Sequence, residues 1–434
     1  METTNVPTYS RMRRTAVRLA LMLGLATVAL GALLTVAALA ASGDPDPTFD
    51  GDGKVTTDFG GYDGGSAVAI QSDSKIVVAG YASNDFALAR YNDDGSLDTT
   101  FGTSGITTTN FGGSDGGSSV AIQSDGMIVV AGYANNDFAL ARYNDDGSLD
   151  TTFGTSGITT THFGYGSDNG RAVAIQSDGM IVVAGYADNG SDDDFALARY
   201  NTDGSLDTAF GTGGITTTHL SGNDDKGYAI VIQSDGKIIV AGGSGSNFTL
   251  ARYNTDGSLD TDFGTDGATT THFGSASAGS GVALQSDGKI IVAGYTSGVG
   301  GSDLALARYD TDGNLDTTFG MSGTTASDVD NGSDYINAIA IQDDDKIVAT
   351  GFATVDGSYD LIVARYDAQG NLDTNFGTGG IVLTYFSGMD FGNGIAIQTD
   401  HKIVAVGQVG GDFGVVRYDV FFDTYLPLVV RSYP

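Results

Sequence analysis

The chain has 434 residues, with 53 acidic and 20 basic side chains, 66 glycines, five prolines and no cysteine. The formal charge of −33 excludes nucleic acid as a partner, because a phosphate backbone needs a basic surface. The lack of cysteine excludes disulfides as the source of stability, so a shared hydrophobic core has to supply it.

Residues 1–40 read as an export signal. Arg11, Arg13, Arg14 and Arg18 precede an uncharged apolar run, and Ala38-Leu39-Ala40 offers small residues for cleavage. The run is also long enough to span a bilayer at roughly 20 residues, so an uncleaved anchor is the alternative. With cleavage no membrane span remains, and the mature chain keeps 16 basic and 52 acidic residues, or −36. Solubility outside the cell accounts for such acidity, and divalent cation binding is the sharper alternative.

From residue 44 to 418 one unit repeats. Its clearest copy is Phe138–Gly154, FALARYNDDGSLDTTFG. The arginine of each ARY or VRY triplet marks the phase at Arg90, Arg142, Arg199, Arg252, Arg308, Arg365 and Arg417, at spacings of 52, 57, 53, 56, 57 and 52. Each unit holds four strand-like runs. In the second they are Ile106–Phe111, Ser119–Gln123, Met127–Tyr133 and Phe138–Tyr143, and Ser124-Asp125-Gly126 signals a hairpin between the middle two. The phase so read makes ITTTNF the innermost run. FALARY is then an outer strand, followed by a crossover to the next unit. Length varies mainly between runs one and two and between runs three and four.

Seven units of about 50 residues with four strands each predict an all-β, seven-bladed propeller of four-stranded antiparallel blades. A lone four-stranded sheet of that size cannot bury both faces. The FALARYNDDGSLDTTFGTSG segment with the AIQSDGMIVVAGY hairpin resembles the delta-60 repeat of secreted and surface bacterial proteins. The resemblance implies a propeller-like repeat array and brings no activity, substrate or catalytic residues. Residues 419–434 leave the repeat. Their apolar YLPLVVR stretch resembles short C-terminal tails of some secreted bacterial proteins, which implies a sorting or attachment role; an extended strand or a frayed end is the alternative.

An arginine sharing a strand face with Phe and Leu needs a carboxylate. The Asp of each LDT triplet recurs at the same interval. The expectation is one structural ion pair per blade: Arg90 with Asp98, Arg142 with Asp150, Arg199 with Asp207, Arg252 with Asp260, Arg308 with Asp316 and Arg365 with Asp373. Arg417 lacks a connector of its own. The unmatched connector is Asp44–Gly53, so Asp46 is expected to pair with Arg417 and close the ring.

His162, His219 and His272 each end a TTTH run. If those runs were innermost, the three imidazoles would face one zone of the channel, where they could ligate zinc or copper. The Asn-Asp-Asp-Gly-Ser-Leu-Asp turns have the oxygen-rich character of calcium sites but lack the leading D-x-D and closing Glu of an EF-hand loop. No cofactor is otherwise expected. GxSxG, HExxH, P-loop and dinucleotide fingerprints are absent from the sequence, so no catalytic residues are assigned. The favoured function is a secreted or surface binding or structural module, monomeric, for an extracellular glycan or protein. The alternatives are a polysaccharide hydrolase or lyase using channel-mouth carboxylates and a calcium-stabilised adhesin. Function is expected where the units differ.

Overall fold

The computed structural model describes residues 42–298 and 300–420. The expected export signal and most of the 419–434 tail lie outside the described residues. Among the described residues no helix is long and apolar enough to cross a membrane.

Seven four-stranded antiparallel sheets form the propeller. Blade 1 runs in order through Asp63–Ile70, Ile76–Ala82, Asp85–Tyr91 and Ile106–Thr109. The first of these contacts the equivalent strand of both neighbouring blades, so it is the strand nearest the axis. The ITTT run is therefore the outer strand. This corrects the expected phase by one strand: FALARY is third from the axis, its turn leads to the outer strand of the same blade, and the crossover comes after ITTT. The outer strand is only four residues long and carries Thr at most positions, which suits a solvent-facing edge.

Period-two alternation lets each blade serve two neighbours. In blade 1, Val77, Ala79, Phe86 and Leu88 pack against Ile128, Val130, Ala139 and Ala141 of blade 2. The intervening Ile76, Val78, Ala87 and Ala89 pack against Val404, Val406, Phe413 and Val415 of blade 7. The FALA segment thus places large side chains on one face and alanines on the other, and large meets small at the seam.

Closure uses the N-terminus. Lys54–Thr57 pairs antiparallel with the third strand of blade 7, Asp412–Tyr418, and supplies its missing outer strand. The connector before it completes a turn split between two ends of the described chain. Pro45 bridges Tyr418 where Leu97 bridges Tyr91 in blade 1. Gly43 packs against Phe376 of blade 6 as Gly147 packs against Phe101.

The two ends of the propeller differ in composition. At one mouth lie the starts of the inner strands, the hairpins between second and third strands, and the crossovers, as the pairings Asp63↔Ala82, Asp85↔Ala82 and Phe86↔Thr109 require. Both variable-length loops fall there. The opposite face carries the SDG hairpins and the NDDGSLDT turns.

Candidate functional site

The Arg–Asp positions form joints on the opposite face. Arg90 Nε donates to Asp98 Oδ2 at 2.9 Å, and Arg142, Arg199, Arg252, Arg308 and Arg365 reach Asp150, Asp207, Asp260, Asp316 and Asp373 at 2.6 to 3.0 Å. Arg417 Nε meets Asp46 Oδ2 at 2.7 Å across the closure. Burial alone would raise the Asp46 pKa. Hydrogen bonds from Lys402 and Thr48 and the Arg417 charge outweigh it and hold the carboxyl well below the usual range.

Six of the joints, those of Arg90, Arg142, Arg199, Arg252, Arg308 and Arg417, also reach forward to a backbone carbonyl of the next blade. Arg142 Nη1 donates to the Thr202 carbonyl of blade 3 at 2.5 Å, and Arg417 Nη1 to the Asp93 carbonyl of blade 1 at 2.6 Å. The Arg142 guanidinium lies over Phe153 of its own TTFG segment at 4.6 Å. That Phe sits under the turn glycine of the next blade, so the joint ties consecutive blades. A cleft of 370 Å³ between blades 2 and 3 on this face is lined by Gln123, Asp125, Arg142, Gln176 and Asp178, repeat positions that recur around the ring.

The histidines do not converge. Because the TTT run is the outer strand, His162, His219 and His272 stand in separate blades beside the start of their own third strand. His162 Nδ1 lies 2.9 Å from Asp137 and 3.2 Å from Asp168, His219 Nδ1 lies 2.8 Å from Asp194, and His272 Nδ1 lies 2.7 Å from Asn247 Oδ1. Two of them join carboxylates in groups able to hold a cation: Asp137, His162 and Asp168, and Asp192, Asp194 and His219. Asp58, Asp63 and Asp412 form a third. His272 faces the Asn247 side-chain oxygen instead, a weaker donor than a carboxylate.

Sequence reasoning missed the buried aspartate opening six inner strands: Asp63, Asp115, Asp168, Asp225, Asp334 and Asp390, all fully buried. One oxygen accepts a crossover amide, such as Phe111 N–H at 2.6 Å. The other has no hydrogen-bond partner in five of them, Asp225 being the exception. Burial pushes Asp334 up to about 7, against the amides of Val329 and Thr354 and with the added charges of Asp328 and Asp303. The signal was its fixed place a few residues after each TTT run, hidden among turn-like Asp-Gly clusters.

The units differ most at the mouth. Every blade sets at least one half-buried aromatic ring at the inner end of its seam, but from different positions. Blades 1, 2, 3 and 5 use second-strand Tyr81, Tyr133, Tyr186 and Tyr295; blade 4 uses Tyr228 and blade 7 Phe391, both from the inner strand. Blade 6 supplies Tyr335, Phe352 and Tyr359. Rings meet across seams: Tyr295 and Tyr335 at 4.6 Å, Phe352 and Phe391 at 5.0 Å, Tyr186 and Tyr228 at 6.4 Å. In blades 1 and 2 the tyrosines fold over Gly64 and Gly116, where a Cβ would meet the ring at 2.9 and 3.0 Å.

Each inner strand also carries a bulge that leaves its fourth residue unpaired. That residue is Ser66, Ser118, Arg171, Tyr228, Ser280, Asn337 or Asn393 from blade 1 to blade 7. Bulges re-aim side chains and often accompany binding sites. Asn337 and Asn393 tie their strands to the next, donating to the carbonyls of Gly392 at 2.8 Å and Gly65 at 2.9 Å.

These features define a repeat propeller with regular joints on one face and an irregular aromatic mouth on the other. Residues 71–101, 123–153, 176–210, 233–263, 285–319 and 342–376 match the domain of unknown function DUF5122, a β-propeller, which supports a propeller repeat family. The matched segments run from the end of the inner strand to the TTFG turn. They contain the joints and omit the inner-strand mouth positions. No curated protein matches the sequence. Among solved structures, the chain is similar to a streptogramin B lyase at 14% identity and TM-score 0.52, covering 84% of this chain and 97% of that one. It is also similar to YCF48 bound to D1 peptide at 12% identity and TM-score 0.50, covering 89% and 99%. At such identities the likeness is one of fold.

Proposed function

We propose that the chain is an exported binding module of the delta-60 repeat type that takes its ligand at the aromatic mouth, acting as a monomer at the cell exterior. The observation that carries this is where the repeat breaks. The joints are nearly interchangeable, whereas the second and fourth inner-strand positions and the mouth loops change from blade to blade. Half-exposed tyrosines suit recognition, since they offer large contact area at small entropic cost. An extracellular glycan or protein is the ligand class this surface fits. The cation-holding groups at the crossovers lie on the same end and would stiffen it, which is the form the calcium-stabilised adhesin takes.

The second reading is a polysaccharide hydrolase or lyase, favoured by Asp334 with its carboxyl near 7 beside Asp303 and Asp328. Asp334 is fully buried under the crossover, so a substrate cannot touch it, and the binding reading is preferred.

The test is an array of glycans and extracellular proteins probed with the mature protein and with a Tyr335→Ala/Phe391→Ala variant. Retained ligands should be lost by the variant while its circular dichroism and melting stay close to the parent's. A ligand that binds both equally overturns the placement at the mouth.

A further inference from the structure

We infer that Arg171 is an anion-reading residue of this mouth and that its ligand is a carboxylate-bearing saccharide, of which a uronate is the simplest. The inference rests on the proposed binding role of the mouth.

Arg171 is set apart from every other described arginine. The seven joint arginines each meet an aspartate, whereas among the described residues no carboxylate lies within 4.0 Å of Arg171. This is notable in a chain with 53 acidic side chains, since a half-buried guanidinium ordinarily acquires one. It occupies the bulge position of an inner strand, at the axis. Where Asn337 and Asn393 use that position to bind the next blade's backbone, Arg171 does not. Its Nη2 donates to the Tyr186 hydroxyl at 3.0 Å, and its Nε is buried without a hydrogen-bond partner among the described residues.

The Tyr186 ring has the Arg171 guanidinium 5.4 Å from its centroid and Lys226 Nζ 5.3 Å from it. Lys226 is neutralised by Asp193 at 2.9 Å and Asp224 at 3.1 Å, so Arg171 holds the uncompensated charge. Tyr186 accepts from Arg171 and keeps its own O–H to donate. One planar fork plus one hydroxyl matches the two oxygens of a carboxylate.

The rings beside it argue for a sugar. Tyr228, Tyr295 and Tyr335 continue from Tyr186 around the mouth and present flat amphipathic faces. A pyranose ring has an apolar C–H face and hydroxyl edges, so it can stack on such rings while its hydroxyls meet tyrosine O–H groups. A free anion would use Arg171 and ignore the rings. A neutral sugar would use the rings and leave the guanidinium unpaired. A uronate uses both.

The experiment is calorimetric titration of the full mature protein with glucuronate, galacturonate, mannuronate and guluronate oligomers, beside neutral glucose and mannose oligomers of equal length. The variants are Arg171→Gln, Arg171→Lys and Tyr335→Ala. At least one uronate should bind, with affinity falling on the order of ten- to a hundredfold in Arg171→Gln and partly restored in Arg171→Lys. The matched neutral oligomer should bind the parent about as weakly as the uronate binds Arg171→Gln. If no uronate binds the parent, or Arg171→Gln binds it equally well, the inference is overturned. A neutral glycan or a protein that depends on Tyr335 and not on Arg171 would overturn it while leaving the binding role of the mouth intact. Because Arg171 makes no blade-to-blade bond, both its variants should melt with the parent.

Discussion

Replacing Asp46 by Asn tests whether the ring is closed by charge as well as by strand pairing. Asp46 is 1% exposed and receives Arg417 through Nε and Nη2, both at 2.7 Å, and Lys402 at 2.9 Å. Arg417 is equally buried. The amide keeps the shape but removes the negative charge, leaving the buried guanidinium with only the exposed Asp93 carboxylate as counter-ion. Breaking one side of such a pair costs about 3–5 kcal/mol. Arg417 retains the Asp93 carbonyl and carboxylate at 2.6 and 2.7 Å, which argues for the lower end, about 3 kcal/mol. For domains of 150–250 residues that corresponds to roughly 6–12 °C in melting temperature, and less in a longer array. Scanning calorimetry reads the shift. Hydrogen exchange reads its location: amides of Lys54–Thr57 and of the strand Asp412–Tyr418 should exchange faster, while those of blade 3 should not. A variant that melts within a degree of the parent, with unchanged exchange at the closure, refutes the reasoning.

Stability should peak near pH 4–5. Asp334, raised to about 7, binds its proton more tightly when folded, so its contribution is full below about pH 4 and is lost as pH rises toward 7. Asp98, lowered to about 2, does the reverse, and its contribution disappears as pH falls from about 4 to 2. Asp334→Asn should flatten the alkaline limb of a melting-versus-pH curve, and an unchanged limb counts against the assignment. Gly132→Ala should destabilise by about 1–3 kcal/mol in urea, because a Cβ there would sit 2.0 Å from the Gly116 carbonyl oxygen; a neutral result would mean the bulge yields freely. Tyr143→Phe should cost about 1 kcal/mol, since its hydroxyl reaches Thr109 of the preceding blade at 2.8 Å.

Periodic features were legible in the sequence because periodicity is a linear signal. Arg142 and Asp150 recur at a constant eight-residue offset in every complete unit, so their pairing could be read from spacing alone. The forward contact of Arg142 with Thr202 could not, since it depends on how blades are arranged in space. The phase error had a similar origin. A repeat motif fixes the order of strands but not which of them lies at the axis, and ITTT and SVAIQ both read as short strands. The threonines of ITTT, more polar than an axial strand needs, were the available clue. The mouth was foreseen only as the region where units differ. Arg171 belongs to no repeated triplet, and the bulge that sets it apart appears only in strand pairing. The buried Asp115 was hidden because Ser114-Asp115-Gly116 is also good turn chemistry.

The central claim is that recognition occurs at the aromatic mouth and the repeat joints serve only the scaffold. Hydrogen exchange of the protein, free and saturated with its best array ligand, tests this most directly. Protection should concentrate on the inner-strand starts around Arg171, Tyr228 and Tyr335 and on the hairpins between second and third strands. Protection confined to the Ser124-Asp125-Gly126 and Asn144–Asp150 face would contradict the account.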